Sequence, residues 1–149
     1  MAFDQEVIQA RIAIIEENLT KLEQIPQADF NEFVADFRNI EATKHLLQTA
    51  IEAMIDICSH CAARLRLHTP ENGTKLIQAL ARADLLSTKH VPKYISMIRF
   101  RNLVVHLYAN VDDRQIYDIL CLHLDDFRLF VADVWRIVRG QQGKKIEGG

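Results

Sequence analysis

One short segment concentrates the side chains that could do chemistry. Between Ser96 and Asp113 the chain reads SMIRFRNLVVHLYANVDD, which sets Arg99, Arg101, Asn102, His106 and Tyr108 into an otherwise apolar helical stretch. A guanidinium stays charged at any physiological pH, and its planar fork can grip two phosphoryl oxygens. An imidazole titrates near neutrality and suits proton transfer. No Asp or Glu occurs between Asp84 and Asp112, whereas Lys89, His90, Lys93, Arg99, Arg101 and His106 all fall in that span. On a chain of net charge -2 this is a concentrated positive zone, and it suits an anionic ligand, phosphate above all.

A helical wheel sharpens the question. Met97, Phe100, Val104 and Leu107 form one apolar stripe, and Val91, Ile95, Ile98 and Val105 form a second. Asn102 lies within the second stripe and His106 borders it. A helix that is apolar on two sides is covered on two sides, so one stripe faces the protein core and a partner subunit could cover the other. A plainer reading stands beside this one. Arg99 and Arg101 could pair with Asp125, Asp126 or Asp133, His106 could be a satisfied core histidine, and Tyr108 a core aromatic with its hydroxyl at the rim.

The elements that must position these residues are helices. Asp4 is placed to cap a first helix to about Gln24, with Ile8, Ile12, Ile15, Leu19 and Leu22 on one stripe, widened by Val7 and Ile14. Asp29 and Glu32 have capping-box spacing and open a long second helix, straight or kinked, to about Leu67, with Phe30, Phe33, Phe37, Ile40, Leu47 and Ile51 in phase. HTPENG is a turn, and TKLIQALARADLL a short helix. The helix of the opening segment starts near Ser87 or Thr88, carries Pro92 in its early turns and runs to about Leu107. Asp112 and Gln115 then open a last helix to about Val138. No segment alternates with period two. The expectation is an all-α, antiparallel bundle of four to five helices, a single domain over residues 1–140 with a flexible tail at 141–149.

Composition fits this. Hydrophobic residues are 49% of 149, enough for a sizeable core, and only five Gly and three Pro are available for turns. A pI near 6.3 argues against a general polyanion binder while leaving room for a local basic site. No apolar run reaches the roughly 18 residues of a membrane span, and the acidic N-terminus lacks signal-peptide character, so the expected location is cytoplasmic. Cys58, Cys61 and Cys121 suit reduced thiols. A zinc reading of CSHC, echoed by Cys121 and His123, is disfavoured, because cysteines three apart inside a strong helix are ordinary core residues.

The segment from Arg101 to Tyr108 resembles the R-x4-H-x-Y motif of the HEPN-fold HepT-like family, also called DUF86, the toxin halves of HepT–MntA toxin–antitoxin pairs. AIEAMIDICSH, TKLIQALARADLL and ANVDDRQIYDIL resemble the family's flanking helices, so the likeness covers roughly residues 29–138. It implies a HEPN-like bundle and a metal-independent endoribonuclease, with no cofactor, that acts as a homodimer with its motif helices facing each other. It implies an RNA substrate, tRNA or mRNA, and an MntA-like minimal nucleotidyltransferase antitoxin that silences the toxin by AMPylation of the motif tyrosine, here Tyr108. By position, Arg101 and His106 match the catalytic pair and Asn102 the polar residue between them. The family's acidic-then-His pattern matches Asp56 and His60, which border the cleft in that reading and merely pack helices in the plainer one.

The chemistry follows from the groups. A 2′-hydroxyl attacking the adjacent phosphate needs a base, an acid at the leaving 5′-oxygen and positive charge on the phosphoryl oxygens. His106 can move the proton, Arg101 can hold the phosphate, and a twofold dimer would bring the second histidine. Arg99, Lys93 and Lys89 are candidates for further RNA phosphate contacts. AMP on Tyr108 would put bulk and negative charge where substrate phosphate must bind. The alternative is a non-catalytic helical adaptor that binds a nucleotidyltransferase and its nucleotide or substrate.

Overall fold

The structure, a computed structural model, describes residues 3–67, 72–106 and 111–147, with side chains as far as Gly140. It is all-α, with seven helices among these residues: α1 (Gln5–Glu23), α2 (Phe30–Ala35), α3 (Phe37–Arg64), α4 (Gly73–Arg82), α5 (Val91–His106), α6 (Asp113–Leu122) and α7 (Leu124–Glu147). The 28-residue α3 is the spine, about 42 Å long at 1.5 Å per residue. α1 packs along it most extensively, and α2, α4, α5 and α6 also lie against it, while α7 closes on α1, α5 and α6.

α1 forms as its sequence dictates. The Asp4 carboxylate accepts from the backbone N–H groups of Glu6 and Val7, satisfying two of the helix's orphan donors. Ile8, Ile12, Ile15, Leu19 and Leu22 are all buried, whereas Val7 stays exposed. Asn18, the one polar residue buried in this helix, is satisfied by α3: its Nδ2 donates to Leu46 O at 3.0 Å and Thr49 Oγ1 at 2.7 Å.

The helix count corrects the expected four to five, because each of the two long predicted helices is broken at one residue. At Asp36 the backbone is extended, with φ -120° and ψ 110°. The residue ends α2 and caps α3, its carboxylate accepting from Arg38 N at 2.9 Å and clasping the Arg38 guanidinium. That hydrogen bond to Arg38 holds the carboxyl below its ordinary range. Phe37, expected inward, is turned out and 72% exposed, while Phe33 is fully buried. The second break is His123, at φ -123° and ψ 8°. Here Ile116, Tyr117 and Leu120 on one side, and Leu124, Phe127 and Phe130 on the other, stay in phase and buried. A one-residue interruption that preserves the stripe leaves the hydrophobic period intact, so periodicity alone reads straight through it.

α7 also continues past the expected end at Val138, to Glu147, through most of the segment read as a tail. The HTPE part of the predicted HTPENG turn lies outside the described residues; Asn72 caps α4, accepting from Lys75 N at 2.9 Å. Among the described residues no helix is long and apolar enough to cross a membrane. Cys58 and Cys61 are core residues, and burial pushes both thiols up, Cys61 to about 12.

Candidate active site

α5 can start at Val91 because Pro92 sits in the first turn, where its missing N–H costs nothing. Met97, Phe100 and Val104 are buried as the first stripe requires. The second stripe is covered largely from within the chain. Ile98 is buried, and α4 enters so close beside it that a Cβ on Gly73 would stand 3.1 Å from Ile98 Cγ2. Glycine is what allows this approach. A partner subunit is thus not what buries Ile98; Val105, nearer the motif's end, is the position of this stripe left 39% exposed.

The polar edge of α5 borders a groove of about 440 Å³ between α3, α4 and α5. Arg101, Asn102 and His106 line it from α5, Glu52 and Asp56 from α3, and Asn72 and Gly73 from the start of α4. The amino end of α4 therefore adds positive partial charge to the groove. Arg101 Nη1 donates to Asn102 Oδ1 at 3.1 Å. Its Nε is buried and makes no hydrogen bond among the described residues, with Glu52 Oε1 3.7 Å away. Glu52 Oε1 in turn accepts from Gln48 Nε2 at 2.7 Å. Asp56 faces Arg11 at 3.6 Å, both exposed. His106 is exposed, with no polar partner among the described residues.

The plainer reading of the arginines expected acids of the last helix, and these are engaged elsewhere. Asp125 pairs with Arg128, Asp126 with Lys93 and His123, and Asp133 with His90, Tyr94 and Arg136. The carboxylate that meets Arg101 comes from α3.

Other expected site residues lie apart. Lys93 borders a different cavity, about 430 Å³, on the opposite face of α5. Lys89 and Arg99 are exposed and line neither space. His60 faces α1 instead of the groove: its Nε2 accepts from the Asp4 backbone N–H at 3.0 Å, and burial, with Arg64 nearby, lowers its pKa. Tyr108 lies outside the described residues. Glu52, which lines the groove, and Gln48, which holds it from one turn away, are residues that sequence reasoning missed. Their available signal was spacing: Gln48, Glu52 and Asp56 recur every four residues on one face of α3.

Comparison with known proteins bears on what the groove does. Residues 15–134 match the family model described as Ribonuclease HepT-like. The chain is similar to the mRNA nuclease HepT of Shewanella oneidensis, 26% identical over 126 residues, covering 85% of this chain and 94% of that protein. It is similar to the tRNA nuclease HepT of Aphanizomenon flos-aquae, 22% identical over 128 residues, covering 86% of this chain and 87% of that one. Its fold matches, with TM-score 0.80 and 25% identity, a solved structure of a tri-AMPylated Shewanella oneidensis HEPN toxin in complex with an MNT antitoxin, covering 87% and 97% of the two chains.

Proposed function

This chain belongs to the HepT-like ribonuclease family, and on that premise we propose that it is the toxin of a toxin–antitoxin pair. It is an endoribonuclease, silenced when a cognate minimal nucleotidyltransferase transfers AMP to it. Its curated relatives are nucleases of mRNA and of tRNA, so the substrate class carried over is RNA.

The observation that carries the assignment to particular residues is the groove itself, which gathers Arg101, Asn102 and His106 on one open edge of α5. Arg101 grips the scissile phosphate and stabilises its growing charge. His106 is exposed, has no polar partner among the described residues and can move a proton. The 2′-hydroxyl loses its proton and attacks phosphorus, the 5′-oxygen leaves with a proton, and a 2′,3′-cyclic phosphate remains. Each chain supplies one motif histidine, so a twofold dimer supplies both proton-transfer groups. In silencing, the Tyr108 oxygen attacks the α-phosphorus of ATP and pyrophosphate leaves. The added phosphate brings negative charge that repels the RNA backbone.

The test is to incubate the purified antitoxin-free protein with an RNA pool in EDTA and map the fragment ends. Cyclic-phosphate ends, lost in Arg101→Ala and His106→Ala, are expected. A His106→Ala dimer that cuts as well as wild type would overturn the catalytic assignment, and one that never cut before or after the change would favour the adaptor. With the cognate nucleotidyltransferase and ATP, wild type gains mass in AMP steps and Tyr108→Phe does not; equal gain would remove Tyr108 from the scheme.

A further inference from the structure

We propose that Glu52 is a positioning residue for Arg101, holding the guanidinium in a phosphate-ready orientation before RNA arrives; this rests on the ribonuclease reading above. The groove contains an arrangement that neither core packing nor a surface ion pair explains. Glu52 reaches Arg101 Nε to 3.7 Å, close enough for charge attraction and too long for a hydrogen bond. The Nε–H is nevertheless buried and has no other partner among the described residues. Glu52 is itself steered by Gln48, one turn earlier on α3, at 2.7 Å. The chain Gln48–Glu52–Arg101–Asn102 therefore runs from the spine helix to the motif helix, its last three residues lining the groove.

An arginine presents five N–H donors in a fixed plane. Here the Nε edge faces Glu52 and one Nη1 hydrogen faces Asn102, so the plane is set by a contact at each end. The remaining Nη hydrogens are left for an anion. A free arginine samples many rotamers, and ordering it at the moment of binding is costly. Ordering it beforehand favours the reacting geometry, where misplacement of about 1 Å can cost about 100-fold in rate. The opposite possibility is that Glu52 acts as a simple anion in the groove, repelling RNA phosphate. The two differ in kinetics. Positioning acts on kcat, whereas repulsion acts on KM.

The experiment uses full-length, antitoxin-free protein and one defined fluorogenic RNA. Variants are Glu52→Gln, Arg101→Lys and the double, with Gln48→Ala as a second route if Glu52→Gln fails to fold. Glu52→Gln is expected to lower kcat about 10- to 100-fold while KM stays within about threefold. Because it acts through Arg101, it should add nothing in the Arg101→Lys background. Gln48→Ala should give a smaller kcat loss with the same non-additivity. A fall in KM at unchanged kcat, or losses that multiply in the double variant, would overturn the proposal. The Arg101 Nε–H signal in a 15N-labelled sample supplies a readout independent of cleavage; it should be protected from exchange in wild type and lose that protection in Glu52→Gln. A protein that cuts no RNA yet keeps this Glu52-dependent signal sinks the ribonuclease reading. One that cuts RNA while its signal and kcat ignore Glu52 sinks the positioning role.

Discussion

The two halves of α5 carry similar side chains and treat them in opposite ways. At the amino end, Tyr94 and Lys93, with His90 just ahead of the helix, meet acids of α7. The Tyr94 hydroxyl donates to Asp133 Oδ2 at 2.6 Å, His90 Nδ1 lies 3.1 Å from the same oxygen, and Lys93 lies 3.9 Å from Asp126. Tyr94 and Asp133 are both buried, and burial together with the Asp133 carboxylate pushes the Tyr94 hydroxyl far above its ordinary value, so it remains a donor. At the carboxyl end, Arg101 keeps a buried Nε without a hydrogen bond and His106 has no polar partner among the described residues. A polar group whose bonds are complete contributes to stability, and one left incomplete beside an open groove is available to a substrate. Residue type alone does not separate the two; satisfaction does.

The strongest way to break this comparison is to exchange the effects. His106→Ala should lower RNA cleavage by at least about 100-fold, the scale of a lost proton-transfer group, and leave the thermal midpoint unchanged. Its side chain is exposed and has no polar partner among the described residues. Cleavage assays and a melting curve on the same sample check both halves of that statement. A large fall in Tm would mean that the carboxyl end of α5 is structural after all.

Asp133→Ala should do the reverse. It removes the acceptor shared by Tyr94 and His90 and leaves a buried hydroxyl unsatisfied, at a cost of about 3 kcal/mol. In a chain of 149 residues that lowers Tm by about 6–12 °C. Tyr94→Phe removes one of those bonds and keeps the packing against Phe130, whose ring meets it edge-on at 5.4 Å, so about 1.5 kcal/mol should be lost. Cleavage per folded molecule should be unchanged in both. Denaturant titration gives the stabilities, and a selective loss of kcat in Tyr94→Phe would show that the amino end also tunes the site.

The same distinction explains how much was legible in the sequence. The stripe of α1, the capping aspartates at 4, 29 and 112 and the Arg101–His106 motif are local patterns, and local patterns survive without coordinates. The breaks at Asp36 and His123 did not, because the hydrophobic period largely continues across them; Phe37 is the position where it fails. The positive zone was legible only as a count along one dimension. Folding distributes it around α5, placing Lys93 at a different cavity from Arg101 and tying His90 to Asp133. The partner of Arg101 is a tertiary choice between the acids of α7 and those of α3, and no spacing within α5 decides it.

The smallest expected effect extends the comparison to another histidine. His60 is satisfied in a way that depends on its proton: Nε2 accepts the Asp4 N–H, so that nitrogen must be bare. Burial is the main cause of its lowered pKa, Arg64 adds to it and the Asp4 carboxylate opposes it. The folded value therefore lies below the unfolded 6.5, and as the pH falls the unfolded chain takes up the proton first. The stability contributed by His60 is fully present above 6.5 and is lost as the pH drops from there through the folded value. His60→Gln keeps an acceptor for the Asp4 N–H without a titrating group, so its denaturation midpoint should fall less steeply than wild type between about pH 7.5 and pH 5. His60→Gln should leave cleavage intact, whereas His106→Ala should abolish it. Were the two histidines to trade places in that experiment, completeness of hydrogen bonding would no longer distinguish the structural histidine from the reactive one.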